Sequence, residues 1–190
     1  MPDMYAVEGW LSNNEIDALM KYARLTTGTI VEVGAYRGRS TIPLATVAKE
    51  QSRRFYSIDP HYTHEAGGHQ FGMADAAALM RNLLNFDLAE HVRIVNLPST
   101  AALFALLTLY GSQYIGFAFI DGDHAYEICR SDFEMVADAG RWDVLITVHD
   151  STGAWDGPTR VVNEAVASGE WVIIEQLDNL TILQRANIRD

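Results

Sequence analysis

At 190 residues, with 48% hydrophobic residues and a formal net charge of −11, the chain suits one full-sized core. It lacks the basic footprint that nucleic acid or an anionic membrane requires. No apolar run approaches the ~20 residues that cross a bilayer, and no basic-then-apolar segment opens the chain, so a cytoplasmic address is expected. The single cysteine, Cys129, cannot form an internal disulfide and reads as a small hydrophobe on a helix.

Residues 1–27 read as an N-terminal helical arm, and 28–190 as the core of the same domain. A helix starts near Ser12 or Asn13, where Glu15 stands three positions after Ser12 as in a capping box. Ile16, Leu19, Met20 and Ala23 share one face at helical spacing. Trp10 and Leu11, just ahead, can anchor the arm or border a substrate pocket.

The stretch Thr29–Leu44, T-I-V-E-V-G-A-Y-R-G-R-S-T-I-P-L, is a buried strand, a tight glycine turn and a helix start. Gly34 and Gly38 let the backbone approach a ligand, and the new helix turns its free N–H groups toward negative charge. Glu32 is a carboxylate near the end of an apolar strand and needs a partner, either a ligand ammonium or a protein Arg or Lys. A helix from about Ser40 to Lys49 follows. Phe55, Tyr56 and Ile58 then form a strand ending at Asp59 and stopped by Pro60. An acid about 20 residues past a glycine turn is placed to bind ribose hydroxyls.

His61–Gly72, with three histidines and three glycines, is expected to be a mobile, solvated loop, since its histidines lack the i, i+4 spacing of a helical metal pair. A helix is predicted over Met73–Asn85, a strand over 91–97, and a helix from Ser99, which is a natural N-cap. Y-I-G-F-A-F-I-D-G-D-H-A-Y-E is an apolar strand running into an acidic turn, with a helix from about Tyr126 to Ala139. D-V-L-I-T-V-H-D is another apolar strand; residues 151–158 read as a loop and Thr159–Ala167 as a helix. W-V-I-I-E-Q-L and T-I-L-Q-R, separated by Asp178–Asn179, can only be an antiparallel hairpin.

Together these elements describe an α/β fold: a Rossmann-like, doubly wound seven-stranded sheet, mostly parallel, with one antiparallel strand in a C-terminal hairpin. Ligands on such sheets bind at the carboxyl ends of the strands. Glu32, Asp59, Asp121, His149 and Asp150 all fall there.

E-V-G-A-Y-R-G-R-S, Glu32 to Ser40, is very similar to the glycine motif of the catechol-type, metal-dependent O-methyltransferases. F-I-D-G-D-H-A-Y-E, Phe119 to Glu127, resembles the branch that includes macrolide-sugar O-methyltransferases. From about Glu8 onward the chain thus resembles the class I S-adenosylmethionine-dependent methyltransferases. The resemblance implies that Glu32 and Gly34 hold the methionine moiety of S-adenosyl-L-methionine, with Ser40 at its carboxylate. Asp59 would bind the ribose and Ser99 would lie near the adenine, although capping alone also accounts for Ser99. Ala35, Tyr36, Gly38, Pro60 and Asp121 complete the implied cofactor contacts.

The same resemblance makes Asp121, His149 and Asp150 ligands of a divalent metal and His124 the general base. Relatives place two oxygen ligands where His149 and Asp150 stand; Mg²⁺ prefers oxygen donors, while an Asp–His–Asp set would also suit Mn²⁺, Fe²⁺ or Zn²⁺, so the metal's identity is left open. The His149–Asp150 pair could instead bind substrate or orient His124. The implied activity is O-methylation of a small-molecule hydroxyl. The competing readings are a catalytically silent cofactor-binding protein acting in an assembly, a non-methylating one, since a similar branch is linked to cephalosporin hydroxylation, and a nicotinamide-dependent oxidoreductase, against which the closing hairpin and the E-x-G-x-x-x-G-x-S pattern argue. A homo-oligomer is left open.

Overall fold

The structure is a computed structural model, and it describes residues 2–66 and 68–186. Helix α1 (Asn13–Leu25) precedes β1 (Thr29–Val33), α2 (Thr41–Glu50) and β2 (Phe55–Ile58). A small hairpin follows, β3 (His64–Ala66) and β4 (His69–Phe71), then α3 (Met73–Asn85), β5 (Arg93–Val95) and α4 (Ser99–Tyr110). The chain continues through β6 (Ile115–Ile120), α5 (Tyr126–Ala139), β7 (Gly140–Val148), α6 (Asp156–Ala167), β8 (Trp171–Leu177) and β9 (Leu180–Arg185).

Seven strands form one sheet in the order β5-β2-β1-β6-β7-β9-β8. The first five are parallel, while β9 runs antiparallel to both β7 and β8. This is the doubly wound sheet with a closing hairpin that the apolar runs predict. Alternate residues of each strand point to opposite faces. Ile30, Phe55, Phe117 and Phe119 pack under α1, α2 and α3, whereas Val31, Ile58, Ala118, Ile146 and Val148 pack under α4, α5 and α6.

The winding reverses between β1 and β6, which are neighbours in space with four strands between them in sequence. The hydrogen-bond ladder continues one residue beyond each central strand. Gly34 N donates to Ile58 O, Asp121 N to Val33 O, His149 N to Ile120 O, and Asp59 N to Val95 O. Each candidate residue at a strand end is therefore pinned at its own backbone. An acid or imidazole placed there is held by the rigidity of the sheet.

Four details differ from the sequence expectation. Residues 61–72 are not a plain loop: β3 and β4 pair antiparallel, His64 with Phe71 and Ala66 with His69. Ser99 is the first residue of α4 rather than its N-cap; Pro98 takes the cap position and no side chain caps that end. Helix α6 starts at Asp156, three residues early, because Pro158 falls in the first turn, where no N–H is needed. Strand β5 is three residues long, shorter than the predicted 91–97.

Candidate functional site

The glycine turn after β1 lies against the end of β6. Gly34 has φ +89°, and a Cβ there would sit 2.0 Å from Asp121 O, so only glycine allows the two strand ends to approach so closely. Asp59 spans from the end of β2 to this turn. Its Oδ2 accepts from the amides of Ala35 (3.0 Å) and Tyr36 (2.9 Å), and its Oδ1 accepts from His61 N (3.0 Å). The carboxylate thus fixes the turn and leaves its outer edge partly open to solvent. Pro60 directs the chain away from the turn, and Gly38 seats α2 against Leu79.

Glu32 is fully buried beneath the turn and has no cationic partner among the described residues. Three hydroxyls meet its carboxylate: Ser40 Oγ at 2.6 Å, Thr41 Oγ1 at 2.8 Å and Ser57 Oγ at 2.6 Å. Burial pushes its pKa up to about 7 against the opposing pull of those hydrogen bonds. Ser40, which the family resemblance places at a cofactor carboxylate, is itself buried with its hydroxyl engaged on Glu32. Ser99 stands at the start of α4 beside Asp132, a buried residue of α5 whose carboxylate has no hydrogen-bond partner among the described residues. Burial raises the Asp132 pKa to about 6.

Asp121, His124, His149 and Asp150 come together at the ends of β6 and β7. The sequence expectation grouped Asp121, His149 and Asp150 around a metal and set His124 apart as a base. In the structure Asp121, His124 and Asp150 are the three that offer ligand atoms within 4.8 Å of one another. His124 Nε2 lies 3.4 Å from Asp150 Oδ2 and 3.8 Å from Asp121 Oδ1. His149 sits one layer deeper, with Nδ1 3.2 Å from Asp121 Oδ1 and 3.4 Å from Asp150 Oδ2.

The other side of His149 faces Glu15 of α1, whose Oε1 is 3.4 Å from Nε2. The sequence reading assigned Glu15 only to the helix cap. It does cap, since Oε2 accepts from Ser12 N, but Oε1 also accepts from Asn179 N at 2.9 Å, so the residue bridges the arm, the hairpin turn and the site. Burial disfavours an imidazolium at His149, yet the charges of Asp121, Asp150 and Glu15 outweigh it and push its pKa up to about 12. Asp121 would be raised by burial, but the charge of His149 brings it below the ordinary carboxylate value. The neighbouring Asp121 raises the pKa of His124.

Two aromatic groups border this cluster. Trp155, absent from the sequence reading, packs against His124 with ring centroids 4.6 Å apart and the planes tilted by 52°. Trp10 of the arm lies over Tyr36 of the glycine turn at 4.7 Å, and His69 and Phe71 of the β3–β4 hairpin pack against the same two rings. The arm and hairpin therefore meet on the glycine turn.

A family model described as a methyltransferase domain matches residues 31–151. The chain belongs to that family, the class I S-adenosylmethionine-dependent methyltransferases. Solved structures show the same fold. The O-methyltransferase TomG from Streptomyces achromogenes, solved with S-adenosylmethionine, is 16% identical with a TM-score of 0.69, covering 94% of this chain and 82% of its own. An O-methyltransferase from Thermotoga maritima is 10% identical, TM-score 0.71, with 100% and 73% covered. One from Bacillus cereus, in complex with S-adenosylhomocysteine, is 15% identical, TM-score 0.67, with 95% and 84% covered. Every residue that sequence reasoning put forward for catalysis, cofactor or metal in this methyltransferase lies inside the matched region, while Trp10 and Leu11 of the arm precede it. Glu15 and Trp155 lie outside it. No helix among the described residues is long and apolar enough to cross a membrane.

Proposed function

We propose that this methyltransferase transfers a methyl group from S-adenosyl-L-methionine to a hydroxyl of a small molecule. The observation that carries the reading is the imidazole of His124 set between two strand-end carboxylates, beside the glycine turn. The cofactor would lie along that turn, with the outer edge of Asp59 at its ribose and Ser99 toward its adenine. The hydroxyl oxygen attacks the sulfonium methyl in line, an O–CH₃ bond forms, and the S–CH₃ bond breaks with its electron pair left on sulfur. The sulfonium is intrinsically reactive, so the protein's work is to align the oxygen and receive its proton.

His124 Nε2 takes that proton, and Asp121 and Asp150 stabilise the imidazolium that results. His149, between Glu15 and the two aspartates, keeps their oxygens oriented. As an alternative to His124 acting as the base, Asp121, Asp150 and the His124 imidazole form a mixed oxygen and nitrogen donor set that would also suit Mn²⁺, Fe²⁺ or Zn²⁺. A cation held there would lower the pKa of the acceptor hydroxyl. Glu15 reaches the site from the arm, which supports reading 1–27 and 28–190 as one functional domain.

Calorimetry tests the cofactor part. Wild type is expected to bind S-adenosylhomocysteine, and Asp59→Ala to bind it about tenfold more weakly, the loss of one charged hydrogen-bond acceptor. No binding by wild type, or preferential binding of NADH, defeats the reading. His124→Gln tests the base: cofactor affinity and melting temperature should hold while turnover of a hydroxyl acceptor drops by about 10²–10⁴. A stable variant that turns over at the wild-type rate removes His124 from that role.

A further inference from the structure

We propose that the outer face of α4 is the interface of a homodimer, in which the α4 helices of two copies pack antiparallel. Helix α4 crosses from the edge strand β5 to β6, so it is the outermost helix on its side of the sheet. Its sequence, S-T-A-A-L-F-A-L-L-T-L-Y, holds no charged side chain. A helix that is apolar on every side belongs in an interior. The domain itself buries Ala102, Leu103 and Leu106 and leaves the opposite face in water.

At helical spacing Ala101, Phe104, Ala105, Thr108 and Leu109 form one outward stripe, and all five are exposed. Phe104 is 65% and Leu109 72% exposed. Thr108, the one polar residue among them, donates its hydroxyl to Phe104 O at 2.8 Å and so needs no partner from outside. Leu97 just ahead of the helix, Tyr110 at its end and Ile128 of the adjoining α5 widen the patch. Together the large side chains expose about 500 Å² of apolar surface, near the upper end for a monomer. Each partner of a standard interface covers roughly 800 Å², so the patch supplies most of one.

Shape and charge both select a second copy as the occupant. The stripe is complementary to itself. Phe104 and Leu109 stand on its two edges, and Ala101 and Ala105, one turn apart between them, leave a shallow recess for such side chains. A twofold axis passing near Ala105 sets each copy's large groups against the other's alanines. The two ends of the helix differ in charge. Arg54 lies over the Tyr110 ring at 5.2 Å and Arg93 over the neighbouring Tyr56 ring at 5.7 Å, so cations flank the last turn. Exposed Asp123 and Glu127 stand at the end where α4 begins. Antiparallel pairing brings the basic end of each copy level with the acidic end of the other, whereas parallel pairing would set like against like. Other occupants fit less well: α4 has no Lys or Arg to hold a lipid surface and no acid to receive a basic partner.

Sedimentation velocity on the full chain, at up to about 50 μM, tests the association. Wild type is expected at twice the 21.1 kDa of one chain. Phe104→Glu puts a charge at the centre of the patch and should weaken association at least about thirtyfold, with an unchanged circular dichroism spectrum because the residue is exposed in a single copy. A cross-link tests the pairing. Ala105→Cys should be captured as a disulfide between two chains under mild oxidation, since the native Cys129 is buried and does not compete. Ser168→Cys, exposed at the end of α6, is the control and should stay uncoupled. A monomeric wild type, a dimer undisturbed by Phe104→Glu, or cross-linking no better at position 105 than at 168 would each overturn the proposal. Flotation of a monomeric wild type with phosphatidylcholine vesicles would overturn it too, and would give the face to lipid.

Discussion

Glu32 shows how a single buried carboxylate can set the pH response of the fold. Its ordinary pKa, as in an unfolded chain, is 4.5, and burial lifts it to about 7 in the folded protein. Between those values the folded state holds a proton that the unfolded state has lost. Stability therefore falls as pH rises through this window. The expected span is about 3 kcal/mol between pH 4.5 and 7. Glu32→Gln cannot ionise and should flatten that dependence; a series of denaturant midpoints from pH 5 to 8 with the same slope in both proteins would contradict it. Asp132 has the same sign, since its pKa rises from 3.8 to about 6. Nothing local in the sequence marks Asp132: it sits mid-helix, and only the packing of α5 against Ser99 and Gly122 deprives it of water.

At the scale of elements, the turn from β1 to α2 leaves no room for a side chain at Gly34. Gly34→Ala would force a Cβ into Asp121 O and a side chain into a left-handed backbone, which together should cost about 3 kcal/mol or more. Urea unfolding measures the loss, and a cost below about 1 kcal/mol would mean the strand ends can part cheaply. This turn was legible in sequence, as were α3 and α5, whose apolar periods are long and sharply bounded. The β3–β4 hairpin was not. Its strands have three residues each, too few to show a period, and its aromatic partners Trp10 and Tyr36 come from distant segments. Glu15 escaped for a different reason. Its local partner Ser12 already explained it, while its second oxygen serves an amide 164 residues away.

Across the whole molecule, that same oxygen ties the arm to the hairpin. Glu15 accepts from Asn179 N, and Ser12 Oγ donates to Asp178 next to it. Glu15→Ala would leave the amide of Asn179 without its partner and His149 charged on one side only. A loss of about 3 kcal/mol is expected, as for breaking a buried ion pair, together with weaker turnover. Thermal unfolding indistinguishable from wild type would show that the arm is not a structural part of the site. The placement of β9 also has a consequence for synthesis. Strand β7 has β6 on one side, but its other edge waits for residues 180–185, which pair with it through Val148–Thr181. While the chain is being made, His149 and Asp150 emerge well before that edge is covered and before Asn179 can meet Glu15. Such separated pairings close late. The acid–imidazole cluster is therefore completed only once residues 180–185 have been made, and a chain halted before residue 180 would carry the glycine turn without the finished cluster.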